Sequence, residues 1–280
     1  QSKKTLWQRE NLGELILETE RTQNGMKIKR LELLGVDEKL LSKGNWREVG
    51  LNSTTQLNGK LEMNKADELF DKLNITKDFT NTNGVIDYKL NWNAAPWQLA
   101  MANLRGTMDV KLNNGRILSI EPGFGRVLGI LAVAQWIKRL QLDFGDIYKE
   151  GLTFDSIKGH FDLLNGKATT KDLTIDAVPA KITIIGDTDL VNHTVDYVIK
   201  VVPKSLDAVP IAGTIVSRIA AMVGKTLTGK DQEGFFFGTQ YLVKGHWDDI
   251  KISSQHENDG LFQKTWNSIT DFPWQEQKKQ

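Results

Sequence analysis

The sequence predicts a mainly β protein, an antiparallel sheet with a few α-helices, and three observations carry that prediction. Apolar and polar residues alternate with period two through many short runs. Turn pairs such as Asn24-Gly25, Asn114-Gly115 and Asn165-Gly166 punctuate those runs. Most strand-like runs also follow one another directly, without the crossover helices that a parallel sheet needs.

From Glu14 to about Met63, Leu15, Leu17 and Thr19 share one parity, Met26 and Ile28 follow the Asn24-Gly25 turn, and Leu57, Gly59, Leu61 and Met63 alternate later. These are half-buried strands. A short helix is predicted over Lys65 to Leu73, where Ala66, Leu69, Phe70 and Leu73 fall at i, i+3, i+4 and i+7 behind Asn64 as N-cap. Met108, Val110 and Leu112 then face one way and Asp109 and Lys111 the other, and Asn113-Asn114-Gly115 turns this strand into a hairpin partner over Arg116 to Ile120. The same grammar returns in Phe154 to Leu164, Asp172 to Ile175, Lys181 to Ile185 and Val195 to Val202, and again from Phe235 through Phe237, Tyr241, Val243 and Trp247.

Two segments break the alternation. Pro122 to Leu140 opens on a residue suited to a first helical turn and runs apolar almost all round, so it is either buried on most sides or faces lipid. Its 19 residues would extend about 28 Å as a helix. The second helix is expected near 206–228, with Ile211, Ile215, Ile219, Met222 and Val223 at helical spacing and small residues between them. The last residues, Gln275 to Gln280, form a polar tail expected to fray.

Composition excludes several classes of function. The 280 residues are long enough for one or two domains with a real core, and 40% hydrophobic content argues against disorder. Lys and Arg number 36 against 35 Asp and Glu, with no block of either sign, so nucleic acid is not expected as a partner. Cysteine is absent, which removes thiol nucleophiles, disulfides and Cys-containing zinc sites. The chain begins without Met or an apolar signal core, and no stretch reaches the roughly 18 uninterrupted apolar residues of a membrane span. It therefore reads as an internal or mature piece of a larger protein, with any targeting segment outside it.

Catalytic and metal signatures fail one after another. GxSxG and HExxH are absent, and Gly186-Asp187-Thr188-Asp189 lacks the remaining ligands of a calcium loop. Gly224-Lys225-Thr226 has Ile219 where a P-loop requires Gly. His160, His193, His246 and His256 show no ligand spacing, and the Asp143/Asp146 and Asp248/Asp249 pairs read as loop carboxylates. No cofactor, metal ligand or catalytic residue is assigned. The glycine cluster Gly123, Gly125 and Gly129 follows a strand and opens a helix, so Gly123, Gly125 and Arg126 could hold a headgroup phosphate, or the cluster is simply a flexible, closely packed turn.

An ordered series of short motifs carries a family resemblance. Asn91-Trp92-Asn93, Leu104-Arg105-Gly106, Asn114-Gly115-Arg116, Glu121 to Arg126 with Leu128-Gly129, Asp143-Phe144, Phe154-Asp155 and Gly159 are among its elements. Gly186, Val202-Pro203, Tyr241 and Gly245-His246-Trp247-Asp248 continue it. The series resembles the C-terminal region of the large AsmA-like proteins of Gram-negative bacteria, the YhdP type in particular, strongest from Asn91 to Asp248. Lys138-Arg139 stands where two arginines would be expected, which keeps the charge.

The resemblance implies a curled antiparallel sheet with an apolar inner groove, in a periplasmic protein anchored to the inner membrane by a segment outside this chain, that helps move phospholipid towards the outer membrane. On that basis residues 1–90 would be the end of a repetitive β-groove region, 91–252 an AsmA-like C-terminal domain and 253–280 the tail. Groove-lining candidates are Met108, Val110, Leu112, Leu118, Ile120, Phe154, Leu173, Ile175, Val195, Tyr197 and Ile199. Phe124, Val127, Leu128, Leu131, Trp136, Ile137, Lys138 and Arg139 would form a helical plug or a membrane contact. The expected partners are phospholipid and the two membranes. Two rivals stay open: a scaffold that binds an outer-membrane or envelope protein by strand addition, and an envelope hydrolase for which no acid/base pair is found.

Overall fold

The computed structural model describes residues 1–7, 10–118, 151–178, 180–204 and 240–255. Strands dominate them. In chain order they are β1 (Ser2–Trp7), β2 (Glu10–Thr22), β3 (Gly25–Leu34), β4 (Glu38–Val49) and β5 (Asn52–Met63), then α1 (Ala66–Lys72), β6 (Phe79–Thr80), β7 (Asn83–Trp92), β8 (Arg105–Asn113) and β9 (Arg116–Ile117). The chain continues with β10 (Leu152–Leu164), β11 (Lys167–Ala177), β12 (Ala180–Asp189), β13 (Thr194–Pro203), β14 (Gln240–His246) and β15 (Asp249–Gln255).

All belong to one 15-stranded sheet whose main path is β1-β2-β3-β4-β5-β7-β8-β10-β11-β12-β13-β14-β15. Every pairing is antiparallel, and β1 and β15 do not meet, so the sheet is open and not a closed barrel. The predicted mainly β, antiparallel class is what the chain adopts. Both predicted apolar helices, near 122–140 and 206–228, lie outside the described residues.

Register defines two rims. The β2–β3, β4–β5, β10–β11, β12–β13 and β14–β15 turns share one end of the strands with the 93–104 connection. This is the turn rim. At the other end lie α1, β6 and β9, the β3–β4 and β11–β12 connections, and the points where residues 119–150 and 205–239 join the sheet. This is the helix rim.

Two sequence expectations are corrected. The helix caps at Lys65, with no side-chain cap, and the Asn64 backbone N–H donates to the Asp37 carbonyl at 2.7 Å. The expected hairpin after Asn113-Asn114-Gly115 does not form, since β8 pairs with β7 and β10 while β9 pairs with β6 and β10. The turn is real: the Asn114 amide donates to Asp155 and the Phe154 amide to Gly115, both at 3.0 Å, so the chain is handed to β10.

Glycines let the sheet bend inward. Gly106 and Gly186 adopt φ +135° and +138°, and a Cβ there would sit 1.8 Å from the Lys89 carbonyl oxygen and 2.1 Å from that of Asp196. A side chain would push the neighbouring strand away at both points. The resulting curl gathers residues as far apart as Met63 on β5, Val243 on β14 and Ile250 on β15 into one buried apolar cluster. At the helix rim Phe70, Phe79 and Phe154 stack edge to face, with centroids 5.9 and 6.1 Å apart, pinning α1 and β6 over the sheet.

Candidate functional site

Side chains alternate across a strand, so residues paired in register share a face. One such row runs Leu15, Leu33, Leu40, Leu61, Ile86, Val110 and Gly159 across β2, β3, β4, β5, β7, β8 and β10. It continues beside Gly159 with Leu173, then Ile184, Ile199 and Tyr241 on β11 to β14. Parallel rows add Leu31, Leu57, Leu90, Met108, Phe161, Ile157, Ile175, Ile182 and Val201. From β4 to β14 the charged residue found on this face between the rims is none, and Glu38 stands at the helix rim, where Lys72 approaches it at 3.7 Å.

The opposite face is largely polar, apart from a row of Ile185, Val198 and Leu242 on β12 to β14 in which Ile185 and Val198 are buried. Lys60, Asp87, Asp109 and His160 stand in register there, as do Lys158, Thr174, Thr183 and Lys200. Exposed ion pairs such as Lys60 to Glu62 at 2.9 Å and Lys244 to Asp196 at 2.9 Å decorate it, each worth little in stability. His160 Nδ1 lies 2.7 Å from the Asp109 carboxylate, and that hydrogen bond raises its pKa above the ordinary histidine value.

The apolar face changes character along the sheet. On β3 to β8 its side chains, Leu33, Leu40, Leu57, Leu61, Ile86, Leu90, Met108 and Val110, are half-buried and reachable. From β10 onward it is sealed: Phe161, Leu173, Ile175, Ile184, Ile199 and Val243 are each at most 2% exposed. Of the predicted groove residues, Leu112, Phe154, Leu173, Ile175, Val195, Tyr197 and Ile199 lie in the sealed cluster, and Met108 and Val110 pack at its half-open margin. Leu118 is half-buried at the helix rim, its amide donating to Asp78 at 2.6 Å, away from the main rows. Ile120, Gly123, Phe124, Gly125, Arg126, Val127, Leu128, Leu131, Trp136, Ile137, Lys138 and Arg139 lie outside the described residues, as do Asp143 and Asp146.

Reading the sequence for the groove missed the half-open residues of β3, β4 and β7. Leu57 and Leu61 carried a visible period-two signal, but the signal marks which face a residue is on and not how open that face is.

Two tyrosines interrupt the grease in the same way. Tyr88 lies across from Gly59, and its hydroxyl reaches Ser42 one strand further on. Tyr197 lies across from Gly186. Its hydroxyl has no hydrogen-bond partner of good geometry, and burial, reinforced by the Asp187 carboxylate, pushes its pKa far above the ordinary phenol value. Both stay neutral, so the face presents no charge to anything lying on it.

Chemically, this arrangement offers an uncharged apolar surface between the rims, of the kind that suits apolar chains. Among the described residues no group of His, Asp and Glu is placed to hold a metal, and no helix is long and apolar enough to cross a membrane.

No solved structure matches the chain significantly. A curated relative, the intermembrane phospholipid transporter YhdP of Escherichia coli (strain K12), is 27% identical over 239 residues, covering 85% of this chain and 18% of the relative. The chain thus spans under a fifth of that relative's length. The family model described as YhdP protein matches residues 2–252, so this curled, one-sided sheet belongs to the YhdP family.

Proposed function

We propose that this chain is part of a non-enzymatic lipid-transfer conduit of the periplasm, carrying phospholipid between the inner and outer membranes. A segment outside the chain would anchor the protein to the inner membrane. The observation that carries this reading is the apolar face that runs strand after strand, uncharged between the rims from β4 to β14, against a largely polar outer face. A globular protein needs only a local core. A continuous face that is half-open over β3 to β8 suits a cargo whose acyl chains slide from one row to the next while headgroups stay in water.

The relative's activity supports the same cargo class. Movement along such a face needs no acid, base or nucleophile, because each step exchanges one set of apolar contacts for an equivalent one. The sealed stretch from β10 onward either opens to admit lipid or marks where the path leaves the sheet. Met108, Val110 and Leu112 on β8 line the end of the half-open part of the proposed path, and Phe154, Leu173, Ile175, Val195, Tyr197 and Ile199 line the sealed part.

Photocrosslinking tests it. A benzoylphenylalanine placed at Leu57, Ile86 or Val110 should capture phospholipid in cells, and one at Lys60, Asp87 or Asp109 on the opposite face should not. Equal capture on the two faces, or none on the apolar one, would overturn the conduit.

A further inference from the structure

Large apolar side chains crowd the turn rim, where turns ordinarily carry Gly, Asn, Asp and Ser. Leu51 forms the tip of the two-residue β4–β5 turn and is fully exposed, with Val49 beside it at 60%. The 93–104 connection exposes Trp97 (71%), Leu99 and Met101, and the β10–β11 and β12–β13 turns expose Leu164 and Val191. These belong to four separate connections that register places at the same strand end.

The connection ties them together as a strap. Near its start Ala94 accepts a hydrogen bond from the Thr55 hydroxyl at 2.7 Å, and Trp97 meets Trp46 of β4 edge to face at 5.3 Å. Further along, Met101 and Ala102 lie against Gly166, which in turn abuts Val191, and Arg105 Nε donates to the Asn165 side chain at 2.9 Å. Trp46 itself stands on the apolar inner face, in register with Met26 and Thr55. The Trp46–Trp97 contact therefore joins the inner face to the exposed rim.

We infer that the turn rim is a membrane-docking surface whose occupant is the interfacial region of a phospholipid bilayer. Separate tips at one strand end match a planar partner. Trp, Leu and Met are suited to the boundary between headgroups and chains. Arg47 near the end of β4 and Arg105 at the end of the strap, both exposed and without an ion pair among the described residues, supply charge for lipid phosphates. Continuity through Trp46 gives a lipid a path from groove to bilayer. The inference rests on the conduit reading for its purpose, and its test is independent of groove loading.

The test is flotation of the purified protein with vesicles of phosphatidylethanolamine and phosphatidylglycerol, compared with the variant Leu51→Ser/Trp97→Ser/Leu99→Ser and with Arg47→Gln/Arg105→Gln. Circular dichroism and native mass spectrometry for bound lipid accompany each. The apolar variant should lose about tenfold or more in vesicle partition while keeping its fold and its bound lipid. The arginine variant should lose several-fold, with an effect confined to low salt and anionic vesicles. Wild-type partition by the folded apolar variant overturns the docking surface. Retained docking without bound lipid in the wild type would overturn the conduit reading and leave the rim assignment standing. Loss of binding to a purified outer-membrane protein, with vesicle binding unchanged, would assign the rim to a protein partner and overturn the bilayer as occupant.

Discussion

A carboxylate placed on the apolar face should act differently in its two halves. Ile175 is 1% exposed within the sealed cluster. Replacing it with Asp removes buried aliphatic packing worth about 2–5 kcal/mol. The new carboxyl must also stay neutral at pH 7, about three pH units above its ordinary pKa, at about 4 kcal/mol. The sum of about 6–9 kcal/mol rivals the about 5–15 kcal/mol stability of a whole domain. Ile175→Asp should therefore fail to accumulate. Val110, in register with Ile86 and Gly159, is half-buried, so Val110→Asp forfeits about 1 kcal/mol of burial and leaves its charge in reach of water. That variant should accumulate with a near-normal melting temperature, yet copurify with little phospholipid and fail to restore an envelope-permeability defect. Asp109→Asn, one residue away on the charged face, is the control and should be indistinguishable from wild type in lipid load. Full lipid load and full complementation by stable Val110→Asp would refute the conduit. Normal accumulation of Ile175→Asp would refute the packed core around it.

Three further outcomes follow from local geometry. Gly186→Ala must relieve a backbone clash and a φ of +138°, so it should cost about 2–4 kcal/mol and lower the melting temperature by roughly 5–10 °C; an unchanged melting curve would mean the close approach is absent. Phe79→Ala removes the ring between Phe70 and Phe154, should cost about 3–5 kcal/mol, and should strip hydrogen-exchange protection from the α1 amides first; uniform loss across the sheet would contradict a locally pinned helix. His160 has its folded pKa raised, chiefly by the Asp109 hydrogen bond, so its stabilisation is fully present below the unfolded histidine value and fades as pH rises through the folded one. The pair is exposed, so the effect should stay well under about 1 kcal/mol, and NMR titration should show His160 returning towards its ordinary pKa in Asp109→Asn.

The sequence disclosed faces better than neighbours. Met108, Val110 and Leu112 alternate with Asp109 and Lys111 because one side of β8 is buried, and burial of one side is what makes register and parity legible. The partner of a strand is not a local property. Asn113-Asn114-Gly115 has hairpin chemistry, yet the next residues pair with β10 and β6, since a turn motif says that the chain reverses and not which strand receives it. The helical spacing of Ala66, Leu69 and Phe70 showed through for the same reason as the strands, whereas the cap falls at Lys65, one residue after the Asn64 that the capping pattern indicates. The openness of β3 to β8 against the closure of β10 to β14 was equally hidden. Leu57 and Ile175 sit in similar alternations and differ in how far the sheet has curled around them.

The width of the face sets how a phospholipid would lie on it. From Leu57 to Met63 the apolar side of β5 covers six residue steps, about 20 Å at about 3.3 Å each. One leaflet's hydrocarbon is about 15 Å deep, half of a core of about 30 Å. An acyl chain therefore fits along the strand direction, from rim to rim, without overhanging. A lipid lying this way must put its headgroup at one rim. The helix rim is closed near β5 by Ala66, Leu69 and Phe70 of α1 and by Phe79, all buried. The turn rim carries the exposed Arg47 and Arg105, with Glu48 next to Arg47. Headgroups accordingly belong at the turn rim and chain ends beneath α1, so a lipid photolabelled at its chain terminus should mark Leu61 and Met63, and one labelled at the headgroup should mark the strap. The reversed pattern would place the open lip at the other end of the strands. On the conduit reading the same rim would both expose the headgroup during transit and meet the bilayer at delivery, with the exposed Trp97 and Leu51 as its apolar contacts.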